Sequence, residues 1–349
     1  MTEAKIIDRF RVIREVGRGA AATVYEVYDE RLNVRRALKR LNPAMFQHAA
    51  MRARFLAEAR AMARLTHPGV VQVFDVFIAD GDAAIVMEFV EGGSLGDRLD
   101  DSGPLPAVEA VRALIEVLDA LEDAHVRGVI HRDVKPHNLL VDADGRVRLT
   151  DFGIARIRDD EQAMTRTGVT MGTWAFMPPE QRTDAKNVDP RTDIYAAGAT
   201  LFALLTGSLP KDLFAVDLDP ELLSGVPAPL AVVIRRATLY HRDERYPSAQ
   251  AMASALQNAM VEMGLADAPV PTLSRGPSLG ALSPLADVHA TPRPPTHIPD
   301  RSRLGALLGV LGLVGLATAA WFVMSTPSAL KQVWPAAGVA QEDLQPAAE

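Results

Sequence analysis

The 349-residue sequence contains no cysteine, which removes disulfides, thiolate metal sites and cysteine nucleophiles together. Aromatic residues are scarce, at 5%, so Ala, Val and Leu must supply most of the 48% apolar content that a sizeable core requires. No long run of one charge sign occurs and the net charge is -7, which argues against broad electrostatic binding; no nucleic-acid partner is expected. Residues 1–10 carry Glu3, Lys5, Asp8 and Arg9 and lack the apolar centre of a signal peptide, so the chain is expected to begin in the cytoplasm. There is no internal repeat.

Composition divides the chain into four stretches. Residues 10–262 alternate apolar runs with turn signals at globular density. Residues 263–303 hold Pro269, Pro271, Pro277, Pro284, Pro292, Pro294, Pro295 and Pro299 and bury too little apolar surface to offset ordering entropy. They are expected to form a disordered linker. Residues 304–324, 21 without a charge, are long enough for a transmembrane helix across a hydrocarbon layer of ~30 Å. A buried core helix is the alternative. Arg293, Arg301 and Arg303 precede the segment, whereas Lys331 stands alone after it, so the N-terminal region is expected inside the cell (inner) membrane and the tail, 325–349, outside.

Four motifs carry chemistry. Val16-Gly17-Arg18-Gly19 opens a glycine-rich loop, and Thr23-Val24-Tyr25-Glu26-Val27-Tyr28 follows with strand character. Glycines let backbone N–H groups approach phosphates. A dinucleotide-binding turn has to open a helix, so a hairpin over phosphates fits better, with an ordinary glycine turn as the plain alternative. In Arg36-Ala37-Leu38-Lys39-Arg40-Leu41 a lysine interrupts an apolar strand, and buried lysines need partners. Glu58 offers one. It lies beside the helical stripe Phe55, Ala59, Met62 and Leu65, although a helical Glu is more often simply solvated. The third and fourth motifs are His131-Arg132-Asp133-Val134-Lys135-Pro136-His137-Asn138 and Asp151-Phe152-Gly153. Between them, two apolar runs flank an Asp144-Gly145 turn, a hairpin signature that brings Asp133, Asn138 and Asp151 to one end. Two carboxylates and an amide oxygen suit Mg²⁺.

Together, in order and spacing, these elements resemble the eukaryotic-like (Hanks-type) protein kinase family in its bacterial serine/threonine branch, over residues 10–262. The resemblance implies an α+β fold in which a small β-rich lobe sits over a larger helical lobe, with ATP in the cleft. It implies that the loop Val16, Gly17, Gly19 and Val24 covers the phosphates, and that Lys39, held by Glu58, contacts them. Glu88 and Val90 would form the hinge at the base, Asn138 and Asp151 would hold Mg²⁺, and Asp133, Lys135 and Thr173 would act at the reacting groups. Lys135, two positions after Asp133, is the serine/threonine form, so the expected partners are proteins bearing Ser or Thr. Asp193 is expected to cap the catalytic-loop backbone and Arg245 to pair with Glu180, or else to make a surface ion pair of little consequence.

Two departures stand out: Ala22 replaces the third loop glycine, and Pro178-Pro179-Glu180 replaces Ala-Pro-Glu. Neither removes a catalytic group. Arg132 before Asp133 implies control by phosphate on Thr165, Thr167 or Thr170, with autophosphorylation expected at Thr165 or Thr167. Gly305, Gly309, Gly312, Gly315 and Ala319 share one helical face, which allows a homodimer through the membrane helix and kinase domains within the membrane lipid. Alternatives are a small-molecule kinase, which would lack this activation segment, and a pseudokinase scaffold, which would lack Lys39, Asp133 or Asp151.

Overall fold

Alternation of β-branched and polar residues from Phe10 onward produces an antiparallel sheet, with successive side chains on opposite faces and the inner run Ala83–Met87 buried on both. Its strands are β1 (Ile6–Ile7), β2 (Phe10–Arg18), β3 (Ala22–Asp29), β4 (Val34–Leu41), β5 (Val73–Ala79) and β6 (Asp82–Met87), in the order β1-β2-β3-β4-β6-β5. One face closes over Phe10, Val27, Leu38, Ala84 and Val86. The other packs Leu41, Ala83 and Ile85 against Phe55 and Ala59 of a helix. That helix is α2 (Ala49–Met62), which follows the short α1 (Pro43–Phe46).

After Met87 the chain leaves the sheet and becomes helical. Ser94 starts α3 (Leu95–Ser102) with a capping box, its hydroxyl accepting from Asp97 N while the Asp97 carboxylate accepts from Ser94 N. Next come α4 (Ala107–Val126), the two-stranded sheet β7 (Leu139–Val141) and β8 (Val147–Leu149), α5 (Pro179–Thr183), α6 (Arg191–Thr206), α7 (Ala228–Ala237) and α8 (Ala249–Glu262). Helix α4 has an apolar stripe, Val111, Leu114, Val117, Leu118 and Leu121, each at most 1% exposed. Helix α6 is buried from Thr192 to Leu204 on every side, so the helical lobe is assembled around it.

The structure is a computed structural model that describes residues 6–7, 9–79, 81–153, 174–184, 187–266 and 268. All belong to the first of two units, Met1–Ser283; the second, Pro284–Glu349, lies outside the described residues. So do Thr173, the threonines at 165, 167 and 170, and the 304–324 segment expected to span a membrane. Among the described residues no helix is long and apolar enough to cross a membrane.

Candidate active site

The glycine loop forms the turn between β2 and β3, which pair from Phe10↔Asp29 to Arg18↔Thr23. Gly19 N donates to Ala22 O at 2.9 Å, so Ala22 closes the turn in place of a glycine. A residue that the sequence reading passed over holds the tip. Asn42 Nδ2 donates to the carbonyls of Gly19 (3.1 Å) and Ala20 (2.9 Å), while Asn42 Oδ1 accepts from the Thr23 hydroxyl at 3.0 Å. Two loop carbonyls are thereby occupied by a side chain two dozen positions away.

Strand β4 carries Lys39 into the cleft, with Lys39 opposite Val24 on one side and Ile85 on the other. Its ammonium donates to Glu58 Oε1 at 2.6 Å and to Asp151 Oδ1 at 2.9 Å. Glu58 is 7% exposed, so the sequence alternative of a solvated helical glutamate does not hold. Burial opposes the charge on Lys39, but the Asp151 and Glu58 carboxylates reverse that and keep it protonated far into alkali. One cation between two carboxylates leaves an anionic excess. It falls on Glu58, where burial pushes the carboxyl above its ordinary value against the pull of Lys39. Asp151 faces the cleft with its side chain 40% exposed. Partial desolvation raises its carboxyl, but Lys39 overrides that and holds it below the usual carboxylate range.

The catalytic loop is fixed from beneath. Asp193, at the start of α6, is fully buried and accepts from His131 N at 2.8 Å, from Arg132 N at 2.7 Å and from His125 Nε2 at 2.7 Å. These donors keep its carboxyl depressed although burial alone would raise it. His131 is held neutral by burial. Its Nε2 therefore donates to Thr150 O (2.9 Å) and its Nδ1 accepts from Asp133 N (3.2 Å). The imidazole stacks at a tilt on Phe152, with centroids 4.4 Å apart, and Gly153 N donates to His131 O at 2.7 Å. These ties hold two non-glycine residues at positive φ, Arg132 at 67° and Asp151 at 58°, where strain costs about 1–3 kcal/mol each. From the opposite side Gln181 Nε2, on α5, donates to the Arg132 carbonyl at 3.0 Å. Gln181 is 6% exposed and was not singled out by any sequence pattern.

Asp133 Oδ2 accepts from Lys135 Nζ and from Asn138 Nδ2, each at 3.1 Å, and Asn138 Nδ2 also donates to Asp133 O at 2.7 Å. With its nitrogen so committed, the oxygen of Asn138 is the atom left to face a cation. Asp151 Oδ2 is the second such oxygen. Among the described residues no cluster of three or more acidic or histidine side chains could hold a metal unaided. The donor set suits Mg²⁺, which keeps several waters and takes few protein carboxylates alongside phosphate oxygens.

Two adjoining recesses complete the cleft. One, of about 250 Å³, is lined by Val16, Val24, Ala37, Val71, Met87, Glu88, Phe89, Val90 and Leu140: a slot for a flat apolar ring with hinge backbone along one side. The other, of about 820 Å³, runs from Gly17, Gly19 and Lys39 past Lys135, Asn138 and Asp151. Every expected site residue that is described therefore converges on one cleft, and Thr173 lies outside the described residues. Deep in the helical lobe, the Arg245 guanidinium, 0% exposed, donates to both Glu180 oxygens at 2.6 and 2.8 Å. It is not the surface pair allowed for above.

Residues 10–222 match the protein kinase domain family. The probable serine/threonine-protein kinase PknB of Lactococcus lactis is 37% identical over 262 residues, which cover 70% of this chain and 41% of that protein. The serine/threonine-protein kinase PknL of Mycobacterium tuberculosis is 36% identical over 282 residues, 77% of this chain and 70% of that one. Pkn1 of Myxococcus xanthus is 35% identical, covering 85% and 44%. The chain thus spans less than half the length of two of these relatives. The crystal structure of the Mycobacterium tuberculosis PknI kinase domain superposes with a TM-score of 0.59 at 29% identity, covering 74% of this chain and 99% of that one.

Proposed function

Because the chain belongs to the protein kinase domain family, in its bacterial serine/threonine branch, we propose that it transfers the γ-phosphate of ATP to serine and threonine hydroxyls of proteins. The observation that carries this reading is the bridging of Glu58 and Asp151 by Lys39, with Asp133 and Asn138 hydrogen-bonded on the same cleft. A scaffold without catalysis has no use for a depressed Asp151 carboxylate beside an oriented Asn138.

Each residue then has a defined task. The glycine loop, pinned by Asn42, lays its backbone N–H groups over the phosphates. Lys39, with two of its three N–H groups given to Glu58 and Asp151, supplies the third to a phosphate oxygen. Asn138 and Asp151 would hold Mg²⁺, which when bound neutralises charge developing on the phosphoryl oxygens. Asp133 orients the incoming hydroxyl and accepts its proton, and Lys135, 3.1 Å away, offsets negative charge at the same point. Positioning and electrostatics supply most of the rate, since phosphoryl transfer asks little covalent chemistry of the protein.

The purified chain should transfer label from radiolabelled ATP to a general protein substrate, and Asp133→Asn should not. Equal transfer by both would end this reading. Autophosphorylation at Thr165 or Thr167 belongs to the same proposal, supported by Arg132 beside Asp133; phosphopeptide mapping after incubation with ATP checks it. We also place the chain in the cell membrane through residues 304–324, with the kinase region inside, on the strength of the uncharged run and the preceding Arg293, Arg301 and Arg303. Alkaline extraction of membranes would release the chain if that placement is wrong. Pairing of two copies through the small-residue face of that segment is tested by crosslinking in membranes.

A further inference from the structure

The 820 Å³ recess is longer than phosphates require. Beyond Lys135 and Asn138 it continues along Leu99, Phe176, Ala203, Gly207, Ser208 and Leu209. Phe176 and Ala203 are 8% and 2% exposed and form a packed floor, whereas Leu209 is 48% exposed, one of eleven large apolar side chains open to solvent among the described residues. Gly207 turns the chain there at a φ of +69°, and a Cβ on it would sit 3.2 Å from Pro104 Cγ, so the lip is held in one shape. On the facing rim the His137 ring lies directly on Gly96, where an added Cβ would come within 2.4 Å of it, and Asp100 stands 3.4 Å from its Nε2.

We propose that this far end is a substrate subsite that takes an aliphatic side chain of the protein substrate, close in sequence to the phosphoacceptor. The proposal rests on the kinase reading above and names part of its substrate class. The occupant follows from continuity: the subsite shares one cavity with Lys135 and Asn138, both hydrogen-bonded to Asp133, while the slot for a flat ring is a second recess lined by the hinge. Its chemistry follows from the walls. Among the described residues there, Leu99, Phe176, Ala203 and Leu209 offer no hydrogen-bonding side chain and Ser208 offers a single hydroxyl, so an aliphatic group gains by leaving water and a charged one finds little to pair with. A basic side chain is the obvious rival, since Asp100 lies at the rim. Asp100 is 70% exposed, however, and already faces His137, while Arg18, Lys39 and Lys135 along the same cavity are each paired with carboxylates of their own. An exposed carboxylate so placed selects weakly.

The test is a positional-scanning peptide library around a fixed threonine, phosphorylated by the full chain in detergent. At one position near the acceptor, Leu, Ile or Met should be preferred over Ala by about ten-fold in kcat/KM. Leu209→Asp should abolish that preference and favour Arg at the same position, and Leu209→Ala, at a half-exposed site, should weaken it with the fold intact. Asp100→Asn should leave the aliphatic preference standing. A flat profile, with phosphorylation that still depends on Asp133, overturns the subsite and spares the kinase assignment. A preference for Arg that Asp100→Asn removes also overturns it. Absence of any Asp133-dependent phosphorylation overturns both.

Discussion

Lys39 in the cleft and Arg245 in the helical lobe are both cations enclosed by protein and paired with glutamate, yet they are built for opposite ends. All five N–H donors of Arg245 are spoken for: Nε goes to Leu239 O at 2.8 Å, Nη1 to Glu180 and to Arg191 O at 3.1 Å, and Nη2 to Glu180 and to Tyr240 O at 3.2 Å. The guanidinium also lies 5.0 Å from the centre of the Tyr195 ring. Nothing remains for a ligand. Lys39 instead stands between two carboxylates, one of them partly open to the cleft, so its cluster carries charge that only an incoming partner can balance. A saturated pair fixes architecture; an unbalanced one binds.

That contrast can be broken at either end. Asp151→Asn keeps the shape and an acceptor for Lys39 but removes the charge for Mg²⁺. Phosphoryl transfer should fall by about 10²–10³-fold, while the thermal midpoint stays within a few degrees. Parallel losses of activity and stability would mean that Asp151 is structural after all. Glu180→Gln should do the reverse. It leaves a buried guanidinium without its counter-charge, at a cost of about 3–5 kcal/mol, read by denaturant titration. Activity per folded molecule should hold, and an unchanged midpoint would show that Arg245 is satisfied by carbonyls alone.

Gln181 sits between these extremes and sharpens the comparison. It neighbours Glu180 on α5, yet its amide reaches the carbonyl of Arg132, the residue before Asp133. It is a positioning residue that couples the structural anchor to the catalytic loop. Gln181→Met should lower kcat by about ten-fold with ATP affinity unchanged, since the Lys39 cluster is untouched. A matching loss of nucleotide binding would reduce its role to general packing.

The reacting groups were legible in the sequence because each sits in a short run whose order and spacing leave few other uses: Lys39 inside a strand, Asp133 and Asn138 in one loop, Asp151 after a hairpin. The hairpin itself formed, although its turn is wider than the Asp144-Gly145 signal suggested, with Asp142 accepting from Asp144 N and Arg146 N. What stayed hidden is whatever depends on contact between distant segments. Glu58 is adjacent to its helical stripe, and periodicity alone cannot say whether an adjacent carboxylate is buried. Asn42 on the loop tip, Gln181 on Arg132 O and Gly96 beneath His137 are single side-chain fits that leave no repeat in sequence. The burial of Arg245 rests largely on loop carbonyls, which no residue type advertises.

The smallest effect concerns pH and follows from the anionic excess in the cleft. Glu58 must be ionised to hold Lys39, and its carboxyl is raised, chiefly by burial and then by Asp151 opposing the pull of Lys39. In the folded chain it keeps its proton to a higher pH than in the unfolded chain, where a glutamate titrates near about 4.3. Ionising it therefore draws on stability as pH rises through the window between those two values, and activity appears only above that window. A cation on Asp151 removes part of the excess, so the acid limb of kcat, which reports the loaded enzyme, should lie below the acid limb of kcat/KM, which reports the free enzyme. Glu58→Gln should erase the difference while lowering activity throughout. Coincident acid limbs in the wild-type chain would mean that Asp151 and Glu58 do not share charge through Lys39, and that the cleft cluster is balanced in the same way as Arg245.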